Sequence, residues 1–146
     1  MNEAGFSFVA LLIIVAIVGL GLARVGPMVA DQAQREREQA LKETGEDVIR
    51  GIRSYYKSGA AQEYPRAWTD LLDDRRTPVV RRHLRRVPFD PITNSTEWDL
   101  IRDPSGGLIG VRSLSDKRPF AIADAAGRRI DRYRDWSFVY VPTFGQ

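Results

Sequence analysis

Gly5-Phe6-Ser7-Phe8-Val9-Ala10 begins an unbroken apolar run, GFSFVALLIIVAIVGLGLA, that ends at Ala23. From Phe6 to Ala23 it holds 18 residues without a charge, near the short end for a helix crossing about 30 Å of hydrocarbon. A secretory signal peptide is one reading, with Gly21-Leu22-Ala23 as its cleavage site. Such peptides, however, open on a basic segment and carry a shorter apolar core, whereas the leader MNEAG has no Lys or Arg and contains Glu3. A plain transmembrane anchor is the second reading. Its orientation is poorly signalled, because Arg24 comes after the run and nothing basic precedes it.

The residues beyond the run decide the fold. Past Pro27 small or apolar residues recur at Ala30, Ala33, Ala40, Leu41, Val48, Ile49, Ile52, Tyr55 and Tyr56, the three-to-four spacing of one helical face. Asp31–Arg35, Glu38–Lys42 and Glu46–Arg50 are spaced i,i+4 with the acid first, the better orientation for pairs along a helix. The pattern predicts one long helix from about Phe6 to Lys57, roughly 75–80 Å at 1.5 Å per residue. Its first half is apolar all round and its second half amphipathic. Pro27 removes one backbone hydrogen bond near the junction, and Gly19, Gly21 and Gly26 lower helix stability in the same zone. Such a helix needs a membrane or other apolar helices around its first half and a small domain packed on its second.

The rest of the composition narrows the chemistry. With 146 residues, the chain beyond the apolar run is long enough for one domain with a modest core. A formal net charge of +3 favours solubility without identifying nucleic acid as a partner. Cysteine is absent, which excludes disulfides, thiolate metal sites and cysteine nucleophiles. The single histidine, His83, lies among arginines, leaving little material for a histidine-ligated zinc site or a Ser-His-Asp triad. No catalytic residues are assigned, and an enzyme is not expected.

The leader ending in glycine, the phenylalanine after it, the charge-poor helix, a proline 21 residues past that phenylalanine and the amphipathic continuation resemble type IV pilin-like proteins. The downstream landmarks narrow the resemblance: Tyr64-Pro65, Leu71-Leu72, LRRVPFDP (residues 84–91), Trp98 and GVRSLS (residues 110–115). In that order they resemble the pseudopilins of type II secretion systems, the small major-pseudopilin type in particular. The resemblance implies a leader of residues 1–5, a transmembrane and assembly half-helix of residues 6–29 and a periplasmic domain of residues 30–146. It implies cleavage by a prepilin peptidase between Gly5 and Phe6, with methylation of the Phe6 amine. Phe6, Ala10, Gly19 and Pro27 would belong to the assembly helix. The subunit would wait in the inner membrane as a single-pass protein among lipid, then polymerise with other pseudopilins through an inner-membrane assembly platform in support of protein secretion. A minor pilin for adhesion or DNA uptake is an alternative, as is a soluble periplasmic binding protein released by signal peptidase.

The chain departs from the family at Ala10, where a glutamate is usual. That carboxylate can neutralise the N-terminal ammonium of an adjacent subunit, and an unpaired buried charge costs several kcal/mol. No acid occurs from Phe6 to Ala30. Three accounts are open: a minor or tip subunit, an amine that pairs with a glutamate of a different pseudopilin, or an anchored relative that never polymerises; the first two together are favoured.

Beyond the long helix, Trp68 to Asp74 has helical spacing, and Thr77-Pro78 reads as a cap opening a second short helix from about Val79 to Arg85. Strands are predicted at Trp98–Ile101, at Leu108–Leu114 across the turn Asp103-Pro104-Ser105-Gly106-Gly107, and at Trp136–Val141. One antiparallel sheet of about three strands on the amphipathic half-helix makes an α+β, pilin-like roll. Tyr133, Trp136 and Tyr140 read as core, and Asp90 and Asp103, each before a proline, as turn formers. Major pseudopilins commonly bind calcium in the loop after the second strand, and Asp116 and Asp124 are the nearest matches in place. The loop also carries Lys117, Arg118, Arg128, Arg129, Arg132 and Arg134, so ion pairs in place of a metal are the expectation and no cofactor is assigned. Arg75, Arg76, Arg81, Arg82, Arg85 and Arg86 crowd a stretch without an acid. With no aromatic residue interleaved for base stacking, a solvated face is expected there and nucleic acid is not.

Overall fold

The computed structural model describes residues 3–142, with side chains described for 8–19 and 29–142. Helix α1 runs Glu3–Ser58, as the two joined periodicities predict, and its backbone is helical through Ala10, Gly19 and Pro27. The side chains of Phe6 and Pro27, and of the alternative cleavage site at residues 21–23, lie outside the described residues. By its internal contacts the chain divides into Met1–Glu36 and Arg37–Gln146. Among the described residues the first unit consists of the N-terminal part of α1, whose later turns belong to the second unit. Among the described residues no helix is long and apolar enough to cross a membrane.

The second unit is α+β. Helix α2 spans Trp68–Leu72, and strands β1 (Asp99–Arg102), β2 (Leu108–Arg112) and β3 (Ser137–Val139) form an antiparallel sheet in the order β1-β2-β3. The β1–β2 turn is built by Asp103. Its Oδ1 accepts from Gly107 N at 2.6 Å and its carbonyl from Gly106 N at 3.0 Å. Gly106 has φ +86, a conformation that favours glycine over any side chain. Ser105 Oγ closes the turn on the same carboxylate at 2.7 Å, and that bond holds the Asp103 carboxyl below its ordinary pKa.

One core serves the unit. Leu41, Val48, Ile52, Tyr55 and Tyr56 of α1 pack against Trp98, Leu108, Val111, Phe138 and Tyr140, with Leu71, Ile130, Tyr133 and Trp136 closing the sides. β3 is shorter than the predicted Trp136–Val141, but the alternation holds through it and its flanks, with Trp136, Phe138 and Tyr140 buried and Ser137 and Val139 half-buried. Gly45 is what lets helix and sheet meet. A Cβ there would stand 2.6 Å from Phe138 Cδ2, so the ring lies directly on the helix backbone.

The expected second helix over Val79–Arg85 does not form. Arg81 instead exchanges backbone hydrogen bonds with Asp74 at 2.8 and 3.0 Å, and the amides of His83 and Leu84 both donate to Leu71 O at 2.8 and 3.0 Å. Partners outside the segment have taken the groups that a helix would have used within it.

Candidate assembly helix, buried clasp and basic face

In the first unit the side chains from Phe8 to Val18 project an apolar surface on every side of α1: Phe8 is 61% exposed and Ile17 64%, with Val9, Leu11, Leu12, Ile13, Ile14, Val15 and Val18 between them also exposed. Soluble monomers rarely leave so continuous an apolar surface uncovered. Ala10 is half-exposed within it, and Gly19 has open space around it. Gly5 and Phe6 fall in the first helical turn, with their side chains outside the described residues.

The second unit holds a buried charge cluster where α1 ends. The Asp74 side chain is 1% exposed and that of His83 3%. His83 Nδ1 lies 2.8 Å from Ser54 Oγ, and its Nε2 lies 3.1 Å from Asp74 Oδ2, so the only histidine completes a Ser–His–Asp chain. The surroundings give it another role. Arg76 donates its backbone N–H and Nε to Asp74 Oδ1 at 3.0 and 2.9 Å and its Nη2 to Oδ2 at 2.9 Å. These bonds, the side-chain pair foremost, hold the Asp74 carboxyl far below the usual carboxylate range. Ser54 stands inside α1, where its N–H serves the helix and cannot form an oxyanion hole.

What the cluster does is clasp the helix end. Arg76 Nη2 also donates to Tyr55 O at 2.8 Å, and Ser58 Oγ donates to the same carbonyl at 2.8 Å. That carbonyl is among the last four of α1, which lack partners within the helix. The Arg76 guanidinium lies 3.4 Å from the centre of the Tyr55 ring, a cation–π contact.

A second buried carboxylate ties the helix to the long β2–β3 connection. Glu38 accepts from Phe120 N at 2.7 Å, Ala121 N at 3.3 Å and Tyr133 Oη at 2.8 Å. Glu38→Ala leaves the Tyr133 hydroxyl buried without this acceptor and two loop amides loose, for an expected loss of about 2 kcal/mol. A denaturation midpoint unchanged from wild type would show that water replaces the carboxylate.

The calcium candidates are taken up by arginines. Asp116 receives Arg132 at 3.0 Å and Arg134 at 2.8 Å. Asp124 receives Arg128 at 2.7 Å; the Arg128 backbone N–H, with the Arg128 and Ala126 bonds beside it, lowers the Asp124 pKa. Among the described residues no group of three or more His, Asp or Glu side chains is gathered to hold a metal.

The arginine-rich stretch divides in two. Arg75 pairs with Asp73 and Arg76 with Asp74. Arg81, Arg82, Arg85 and Arg86 are exposed. Sequence reasoning missed the roles of Glu38, Asp74 and His83. Glu38 carried a signal, since it precedes Leu41 by one helical turn on the inward face. Asp74 and His83 carried none, because their meeting depends on the turn between them. Comparison of the chain with family models, curated proteins and solved structures finds no match.

Proposed function

We propose that the chain is a structural pseudopilin subunit of a type II secretion or related type IV pilus-like machine. The observation that carries the reading is the exposed apolar surface on α1, from Phe8 to Val18, on the same helix whose later turns bury Leu41, Val48 and Ile52 against a small antiparallel sheet. An apolar half-helix can exchange lipid for the half-helices of its neighbours at little hydrophobic cost, because both surroundings are apolar. In this reading a prepilin peptidase cuts between Gly5 and Phe6, the Phe6 amine is methylated, and the domain stands in the periplasm until assembly. The roll is then pilin-like, and Ala10 marks a minor or tip position. The subunit works mechanically, without catalysis of its own.

The mass and N-terminal sequence of the mature protein from a membrane fraction test this. A chain beginning at methylated Phe6 is the expected result. One beginning near Arg24 would make the apolar run a signal peptide and end the assembly reading.

A further inference from the structure

The segment Arg81-Arg82-His83-Leu84-Arg85-Arg86 alternates outward and inward in pairs. His83 and Leu84 are its anchors. Both amides are held by Leu71 O, the His83 ring meets the Tyr55 ring edge-on at 5.5 Å, and Leu84 lies so close to Gly51 that a Cβ there would stand 2.9 Å from its Cδ2. The two arginine pairs on either side point to solvent, and none of the four has a side-chain partner among the described residues. Elsewhere in the domain Arg75, Arg76, Arg112, Arg128, Arg129, Arg132 and Arg134 all meet carboxylates. Four guanidiniums without a carboxylate are therefore gathered on one pinned segment, with little orientational freedom left in its backbone to lose on binding.

The segment and α1 enclose two adjoining clefts that share Ser54 and His83. One, of about 460 Å³, has Lys57, Arg81 and Arg82 on its walls and no carboxylate. The other, of about 620 Å³, has Arg50, Arg85 and Arg86 with Phe89 at its edge. Its carboxylate, Asp47, is already paired with Arg50. Phe89 is 46% exposed. Two successive cationic clefts suit an anion that repeats along a chain. Guanidinium forks suit phosphate oxygens, and an exposed ring beside them suits the face of a base.

We propose that this face binds single-stranded nucleic acid, the two arginine pairs taking neighbouring phosphates and Phe89 a base. The proposal departs from the sequence expectation because the aromatic residue absent from the arginine stretch itself is supplied by Phe89, which the fold brings to the second cleft. It stands independently of the assembly reading.

The test is fluorescence anisotropy of a labelled mixed-sequence DNA strand of about 20 nucleotides with the full chain. Three to four phosphate contacts predict that affinity falls about 15- to 60-fold between about 50 and 200 mM salt. Arg82→Glu with Arg85→Glu should weaken binding at least about tenfold, while Arg37→Glu with Lys42→Glu, the same charge change made on α1 away from both clefts, should have little effect. Phe89→Ala should weaken the oligonucleotide about fivefold or more and leave inorganic polyphosphate binding unchanged. Unfolding midpoints of the variants matching wild type establish that the losses are losses of binding.

Absence of binding by the wild-type chain overturns the proposal. So do equal losses from the two charge-reversed doubles, which would reduce the effect to net charge. Phe89→Ala without effect, with polyglutamate competing as well as the oligonucleotide, would assign the face to an acidic protein instead.

Discussion

Asp74→Ala is expected to destabilise the domain by about 3 kcal/mol, at the lower end for breaking a buried ion pair because Arg76 keeps some access to water. The loss has three parts. Arg76 is left partly buried without its carboxylate, His83 loses the partner of Nε2, and the carbonyl of Tyr55 loses a cap that was held in position by the pair. Urea unfolding of the full chain followed by tryptophan fluorescence measures the loss. A change below about 1 kcal/mol would mean that water re-solvates the cluster and that no clasp exists. The pH dependence gives a second readout. Because folding depresses the Asp74 pKa, its contribution is fully present above the unfolded-chain value of about 4 and is lost as pH falls from there through the folded value. Wild type and Asp74→Ala should therefore differ most at neutral pH and converge in acid. Asp74→Asn, which keeps the shape and removes the charge, should fall between them at pH 7.

Gly110→Ala is expected to cost about 3 kcal/mol, the upper end for overpacking, because the added methyl meets backbone that cannot turn aside. A Cβ at Gly110 would run into the Phe138 carbonyl oxygen and stand 2.8 Å from Val139 Cα, at the point where Gly110 pairs with Val139 in the sheet. Making room moves β3, and with it the buried rings of Trp136, Phe138 and Tyr140. Loss of tryptophan emission character together with the lowered midpoint is the expected signature. Gly19→Ala, made inside α1 where nothing lies within 4 Å, is the counterpart and should not lower the midpoint, since alanine favours the helix over glycine. A Gly110→Ala protein as stable as wild type would show that β2 and β3 separate without cost to the core.

The periodicity of the sequence places α1 and its inward face because helix and core demand the same three-to-four spacing, and Trp136, Phe138 and Tyr140 announce β3 by strict alternation. Residues 79–85 mislead for a definite reason. Thr77-Pro78 carries a genuine helix-opening signal, but the backbone partners that override it, Asp74 and Leu71, are tertiary and leave no trace in local spacing. Glu38 reads as one half of an i,i+4 pair with Lys42 because a helical wheel cannot see a loop more than eighty residues away. The roles of Gly45 and Gly110 are equally hidden, since a glycine needed for close approach looks like any other glycine until the approaching atom is known.

The bond from Tyr133 to Glu38 joins residues 95 apart, and Phe138 must reach Gly45 for the core to close. A chain made from its N-terminus therefore exposes α1 long before it can complete the domain. Leu41, Val48 and Ile52 have no β3 to cover them until nearly the whole sequence has emerged, and loop closure of this span is slow compared with helix formation. The inward face of α1 thus stays uncovered until β3 has been made, and the core closes only as the last part of the chain is added.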